Sequence, residues 1–440
     1  MQNIKKIFLL LGDIAFFYLA LFFTMVARYD FGTYGKNFSE HFFPFTLVLV
    51  FWIGLFATSN LYDLRILKND LRFFRTFAIA DSITIVIAGA LFYTLSFGLS
   101  PKTNLVLFAL FVTVLELAWR SAWNAIAART TPERVFLIGE SKEITDLVAY
   151  LEQNPQLGYR IAAWERRGLG QSEWRDLSAR IMSEHAQILV VPAFMKGDAH
   201  ANDAIYTCIL NDIQVRDVPS FYEDVMSTTP LAELGTGWFL EELTEPHPWY
   251  DTTKRIFDLC FACLVFLMLL PVMLVIGILI RLDSAGPVLY TQTRVGKRGK
   301  HFTLVKFRTM HLNAEAHGAQ WATTDDPRIT RLGKVLRASH LDELPQLLNV
   351  IKGDASFVGP RPERPEFVKT LKERIPYYEI RHIVKPGITG WAQINYRYTA
   401  SAEEAYRKLE YDIFYIRRRG FVFDLIIILK TLKTIFATPR

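Results

Sequence analysis

Four apolar stretches in the first 120 residues, 7–27, 42–60, 73–96 and 103–119, constrain this chain more than any other feature. Each has roughly the length a hydrocarbon core requires, about 20 residues. Inside lipid a lone segment satisfies its backbone only as a helix. Residues 1–120 are therefore expected to form four transmembrane helices. Asp13, Asp81 and Glu116 interrupt the stretches, and polar contacts facing the bundle account for carboxylates in such places. Lys5 and Lys6 precede the first stretch, Arg65, Lys68, Arg72 and Arg75 lie between the second and third, and Arg120 and Arg129 follow the fourth. The opposite loops carry only Arg28, Lys36 and Lys102, a bias that places the N-terminus and the chain after residue 119 in the cytoplasm. The first stretch lacks a small-residue cleavage site, so it is read as a span and not as a removable signal.

Residues 131–245 change character. ERVFLIG (133–139), YRIAAWE (159–165) and QILVVPA (187–193) read as buried strands with helical pattern between them, which predicts a small Rossmann-like parallel α/β domain. Gly139 follows the first strand, but the turn reads IGESKE, without the glycines that admit a dinucleotide pyrophosphate. Glu165 stands where a ribose-binding acid could sit. A docking or regulatory module is the stronger reading.

A further apolar run, Leu259 to Ile280, has the length of a fifth span. Its flanks argue otherwise: Lys254 and Arg255 stand at one end, and Arg281, Arg294, Lys297, Arg298 and Lys300 crowd the other. Both ends read as cytoplasmic. Pro271 lies near the middle, where it removes a backbone hydrogen bond. The expectation is a re-entrant helix over 259–280, broken at Pro271, that enters and leaves by one face. Cys260 and Cys263 lie in this run with no charged neighbour to stabilise a thiolate, so redox chemistry is disfavoured.

The chain beyond residue 281 is strongly basic although the whole carries only +6. A basic cytoplasmic domain tied to a bilayer suits anionic lipid and phosphorylated substrates. Nucleic acid is disfavoured, since the charge is scattered and no finger or helix-turn-helix pattern occurs. Within it, RASHLDELPQLLNVIKGDASFVGPRP (337–362) sets Asp342 and Glu343 between Arg337 and Arg361 in apolar surroundings. Fixed carboxylates and guanidinium groups suit phosphoryl transfer; a surface helix with an acidic first turn is the plainer reading of the same residues. FVFDLIIILKTLKTIF (421–436) reads as an interfacial helix.

From residue 252 the chain resembles the bacterial sugar transferase family, the monotopic polyprenyl-phosphate phosphoglycosyl transferases. The matching segments are KRIFD (254–258), GPVLYTQTRVGKRGKHFTLVKFRTM (286–310), DDPRITRLGKVLR (325–337), LDELPQLLNVIKGDASFVGPRPE (341–363), KPGITGWAQIN (385–395) and LEYDIFYI (409–416). The whole resembles the longer members, with four spans and a degenerate nucleotide-fold domain ahead of a mainly α catalytic domain, here 252–440. The resemblance implies transfer of a sugar-1-phosphate from a UDP-sugar to undecaprenyl phosphate at the bacterial inner membrane, with release of UMP. It makes Asp342 the nucleophile and Glu343 its partner on a required Mg²⁺, and Arg337 and Arg361 phosphate ligands. Lys306, Arg308, Asp325, Arg328 and Pro360 fall in further motifs around the site, and Pro271 matches the helix-breaking proline. Membrane lipids, a second copy and polysaccharide-assembly proteins are the partners it suggests. His340 and Ala355 depart from the usual residues without touching a charged position. A membrane assembly or regulatory scaffold with a decayed catalytic tail remains the alternative.

Overall fold

The computed structural model describes residues 2–29, 34–63, 68–94, 101–129, 132–166, 171–192, 199–243, 248–312, 326–396 and 401–437. The chain divides into two compact units, Met1–Phe221 and Tyr222–Arg440.

The first unit opens with four long helices, α1 (Gln2–Arg28), α2 (Tyr34–Thr58), α3 (Leu71–Thr94) and α4 (Pro101–Arg129), each long and apolar enough to cross a membrane. Their shared core is aromatic, with Phe17, Phe45, Trp52, Phe56, Phe73 and Phe77 buried together. Asp13, Asp81 and Glu116 all face this interior. Asp13 pairs with Arg120, and Asp81 accepts from the Thr113 hydroxyl at 2.6 Å. Arg120 therefore lies inside the bundle, 0% exposed, and is not a loop cation that biases orientation. The cause is helix length: α4 continues to Arg129, so the end of the apolar run is not the end of the helix.

The α/β part follows as β1 (Glu133–Ile138), α5 (Lys142–Gln153), β2 (Tyr159–Glu165), α6 (Gln171–Ser183), β3 (Ile188–Val191), α7 (Ala199–Leu210) and β4 (Gln214–Asp217). All neighbours in the sheet pair in parallel, in the order β2-β1-β3-β4. The strand β4 has no apolar run to announce it, reading QVRD. The cores of α6 and α7 close one face through Trp174, Leu177, Ile181 and Cys208. Helix α8 (Val218–Met226) follows, and the border between the two units falls within it.

The second unit begins earlier than the motifs do. Residues 222–243, including α9 (Thr236–Leu243), read in sequence as the tail of the α/β domain, yet they pack within this unit. Its remaining elements are α10 (Pro248–Asp283), the hairpin β5 (Leu289–Val295) and β6 (His301–Phe307), α11 (Arg331–Ala338), a 3₁₀ turn (Leu341–Gln346), α12 (Leu347–Lys352), β7 (Ser356–Val358), α13 (Pro365–Arg374), β8 (Gly387–Thr389), α14 (Trp391–Asn395), α15 (Ala402–Arg418) and α16 (Phe421–Ala437). Glu223 pairs with Arg417 of α15, Arg417 also meets Glu242 at 2.7 Å, and Trp238 joins a cluster with Leu371, Tyr378 and Leu409. A buried carboxylate finding its cation on α15 settles where this segment belongs.

Helix α10 corrects one expectation and supports another. Helical structure runs through Pro271 without a break. A single proline removes one hydrogen bond, and the apolar residues around it are good helix formers. Both halves nevertheless pack on elements of the second unit. Ala262 is buried with Leu347, Val350 and Ala355, while Met273, Ile276 and Ile280 are buried with Phe307 and Leu336. Phe266 touches both clusters. Arg255 donates to the carbonyls of Val350 and Ile351 at 2.6 and 2.8 Å. At 36 residues the helix would measure about 54 Å if straight, well beyond a hydrocarbon core. Packing of both halves on the second unit is consistent with a re-entrant element. Its free face carries Leu264, Leu267, Met268, Leu274, Val275 and Ile278, all exposed. Helix α16 keeps Phe421, Val422 and Leu425 exposed and is tied to α10 through Asp424, which takes Tyr250 at 2.7 Å and Lys254.

Candidate active site

The site is assembled by polar residues set in apolar elements. In α12, Asn349 is completely buried; its amide donates to Thr303 O at 2.7 Å and its oxygen accepts from Val305 N at 3.1 Å. These bonds fasten α12 along β6 and bring Lys306 opposite the turn that precedes α12. Helix α11 approaches through Gly333, where a Cβ would stand 2.1 Å from Thr309 O. Thr330 caps the same helix, accepting from Gly333 N at 2.9 Å. His340 then takes the left-handed conformation, φ 59°, and redirects the chain into the 3₁₀ turn that begins Leu341-Asp342-Glu343. Such a conformation is uncommon for a residue with a Cβ.

Arg361 arrives from the other side. Strands β7 and β8 pair in parallel, and Gly359 and Gly387 touch so closely that a Cβ on Gly387 would lie 2.1 Å from Gly359 N. Glycine is needed at this crossing because no side chain fits.

Glu343 is the electrostatic centre. Its Oε1 accepts from Lys306 Nζ at 2.6 Å and from Arg361 NH2 at 2.7 Å. Burial favours the neutral acid there, but the two cations outweigh it and hold the Glu343 carboxyl far below the usual range. Glu343 in turn keeps the Arg361 guanidinium firmly protonated, while burial lowers the Lys306 ammonium. Asp342, 8% exposed, has the opposite lot. Burial first, and then the neighbouring Glu343 charge, raise its carboxyl above the ordinary aspartate range despite Lys306, Arg337 and Arg361 nearby. Among the described residues nothing donates a hydrogen bond to Asp342. Two adjacent carboxyls are thus driven apart, one a locked anion and one a titratable, unbonded group. Such a split suits one structural charge and one reacting carboxylate.

The other residues singled out in the sequence separate into two groups. Arg337 stays at the site, its Nε donating to Thr309 Oγ1 at 2.9 Å, with Asp342 among the charges acting on it. Pro360 is close by through its neighbour Arg361, and its carbonyl accepts from Gly387 N at 2.9 Å. Arg308 points elsewhere: it binds Ser284 O and Ala285 O at 2.6 and 2.9 Å and pins the end of α10. Arg328 forks onto Asp326 at 2.8 and 2.6 Å, which lowers the Asp326 carboxyl to about 2. Asp325 lies outside the described residues. Asn349 and Thr309 are the contributors that sequence reading missed; the lone polar side chain in LLNVI was a usable signal for the first.

A divalent cation can be tested against this donor set. Both cationic contacts fall on Glu343 Oε1. Among the described residues Glu343 Oε2 and the Asp342 carboxylate accept no hydrogen bond. Mg²⁺ commonly takes one or two carboxylates and completes its shell with water and substrate phosphate, so the pair fits it. Among the described residues no group of three or more acidic, His or Cys side chains forms an all-protein cage.

Comparison with known proteins adds to the geometry. Residues 249–438 match the family described as bacterial sugar transferase. The chain is 46% identical over 190 residues to a UDP-N-acetylgalactosamine-undecaprenyl-phosphate N-acetylgalactosaminephosphotransferase of Aeromonas hydrophila, covering 43% of this chain and 45% of that protein. It is 32% identical over 321 residues to an undecaprenyl-phosphate glucose phosphotransferase of Komagataeibacter xylinus, covering 69% and 59%. Against a UDP-glucose:undecaprenyl-phosphate glucose-1-phosphate transferase of Caulobacter vibrioides, identity is 38% over 197 residues, covering 44% and 74%. The chain thus spans about half the length of the first two relatives.

Proposed function

The chain belongs to the bacterial sugar transferase family, and from that premise we propose that it moves a sugar-1-phosphate from a UDP-sugar to undecaprenyl phosphate, at an early step of exopolysaccharide or related glycan synthesis. The observation that carries this reading is the split carboxylate pair: Glu343 paired through Oε1 with Lys306 and Arg361, and Asp342 beside it without a hydrogen bond.

In the first step an Asp342 oxygen attacks the β-phosphorus of the donor. The bond from that phosphorus to the bridging oxygen breaks, and UMP leaves with the electron pair. The phosphosugar is then held on Asp342 as a mixed anhydride. In the second step an oxygen of undecaprenyl phosphate attacks the same phosphorus, Asp342 departs as a carboxylate, and polyprenyl diphosphate-sugar results. Splitting the transfer spares a direct encounter between two anionic phosphates. Arg361 and Arg337 present planar donors for phosphate oxygens, and Lys306 and Arg361 keep Glu343 charged. Mg²⁺, held by Glu343 with donor phosphate oxygens, would neutralise phosphoryl charge and stabilise the leaving group. The exposed apolar face of α10 supports a site at the headgroup plane, where a soluble donor and a lipid phosphate could both reach it.

The test uses the purified full chain in lipid with donor labelled in its β-phosphate and acceptor withheld. The normal protein should retain label, and Asp342→Asn should retain none. A labelled Asp342→Asn protein would displace Asp342 from the role. Release of UDP in place of UMP would show that only the sugar moves. UDP-glucose and UDP-N-acetylhexosamines are the donors to try first.

A further inference from the structure

The segment Gly359–Glu363 presents Arg361 to Glu343, yet Pro360 and Pro362 have no amide hydrogen with which to hold it. Its carbonyls are taken one after another by donors from elsewhere. Gly387 N binds Pro360 O at 2.9 Å, Val295 N binds Glu363 O at 3.0 Å, and Arg294 NH1 binds Pro362 O at 2.9 Å. The carbonyl of Arg361 itself receives Arg381 NH2 at 3.0 Å.

Arg381 is an unusual donor to spend on a backbone carbonyl. It is 5% exposed, and it also donates to the Tyr378 hydroxyl at 2.6 Å and meets Asp412 at 2.8 Å. Asp412, 2% exposed, comes from α15, so a helix remote in sequence fixes the guanidinium. The result is one continuous path: Asp412 holds Arg381, Arg381 holds the Arg361 carbonyl, and the other end of Arg361 is 2.7 Å from Glu343. Glu363 and Lys408 line the small space beside Arg381.

We propose that Arg381, oriented by Asp412, is a positioning residue that fixes where the Arg361 guanidinium meets the reacting phosphate. This deepens the function proposed above and rests on it. Removing the hold frees Arg361 to drift, and a misplacement of about 1 Å at a charged catalytic group can cost about 100-fold in rate. Arg381 never touches the phosphate; its effect passes entirely through Arg361.

The experiment compares Arg381→Lys in the normal chain and in an Arg361→Ala background. Lysine keeps the charge opposite Asp412 but cannot span Tyr378, Asp412 and the carbonyl together. In the normal chain kcat should fall about 10- to 100-fold, and the melting temperature should fall as buried hydrogen bonds are lost. In the Arg361→Ala background the same substitution should alter kcat less than about twofold, because the group it positions is gone. Equal losses in both backgrounds, or no loss in the normal chain, overturn the proposal. Should Arg381→Lys not fold, the neutral pair Arg381→Met with Asp412→Leu carries the same comparison, since replacing both charges avoids stranding one. A second arm is independent of turnover: the melting-temperature changes of Arg361→Ala and Arg381→Lys should be non-additive. Additivity there breaks the link between the two arginines. A normal chain that turns over no donor while non-additivity persists defeats the functional reading and leaves the coupling standing.

Discussion

Asp342 and Glu343 share a peptide bond and little else. Burial and the adjacent anion raise the Asp342 carboxyl, so the folded state binds its proton more tightly than the unfolded chain does. The sign follows: this proton favours folding below the unfolded value, about 3.9, and its contribution is lost as pH rises through the raised folded value. At neutral pH the ionised Asp342 therefore costs stability. Asp342→Asn should be inactive and melt a few degrees higher, with the gain shrinking as the pH is lowered; a fall in melting temperature at pH 7 would contradict this. Turnover should also be lost on acidification before an ordinary aspartate would protonate, as a pH–rate profile can check. Glu343 behaves oppositely, since its lowered carboxyl contributes stability from the ordinary glutamate range upward and loses it only in strong acid. Glu343→Gln strands Lys306 and Arg361 and should cost about 3 kcal/mol, measured by denaturant unfolding. This pair and Arg361 could be read in sequence because about twenty residues hold them all. Lys306, 37 residues from Glu343, entered only through the resemblance, since the hairpin that returns it leaves no local mark. Arg308 sits two positions further on and reads the same on paper, but β6 ends at Phe307 and the chain turns away.

Among the elements, α10 tests the reading most directly. Trp249 and Leu282, 86% and 78% exposed, stand near its two ends. Single cysteines at these positions in a Cys-free chain should react with an impermeant reagent from the same side of the membrane. Labelling from opposite sides would restore a fifth crossing. Arg308→Lys belongs here as well: it loosens the hold on the segment that ends α10, so it should lower the melting temperature while KM stays near normal. The apolar run announced α10 clearly, whereas its continuity through Pro271 was not legible. Whether a proline stops a helix depends on what packs on both sides of it, here Phe266, Met273 and Ile276. The strand β4 was invisible for a related reason: QVRD gains strand geometry from β3 and not from its own composition.

At the scale of the molecule, the border at Tyr222 changes which piece can stand alone. A fragment beginning at Tyr222 keeps Glu223 against Arg417 and Trp238 in its cluster; one beginning at residue 244 loses both. The longer fragment should melt at least several degrees higher, and the two should be compared by melting curve and by UMP release per folded molecule. Equal melting would mean that residues 222–243 are a passive connector. A re-entrant α10 would act on the bilayer differently from a helix that crosses it. An element whose two halves lean on one platform displaces acyl chains from a single leaflet, while the opposite leaflet stays full. Such a wedge relieves lateral pressure where that leaflet is stretched. The unit should thus partition into small, highly curved vesicles in preference to flat bilayers of the same lipids, a bias that a symmetric transmembrane helix does not show.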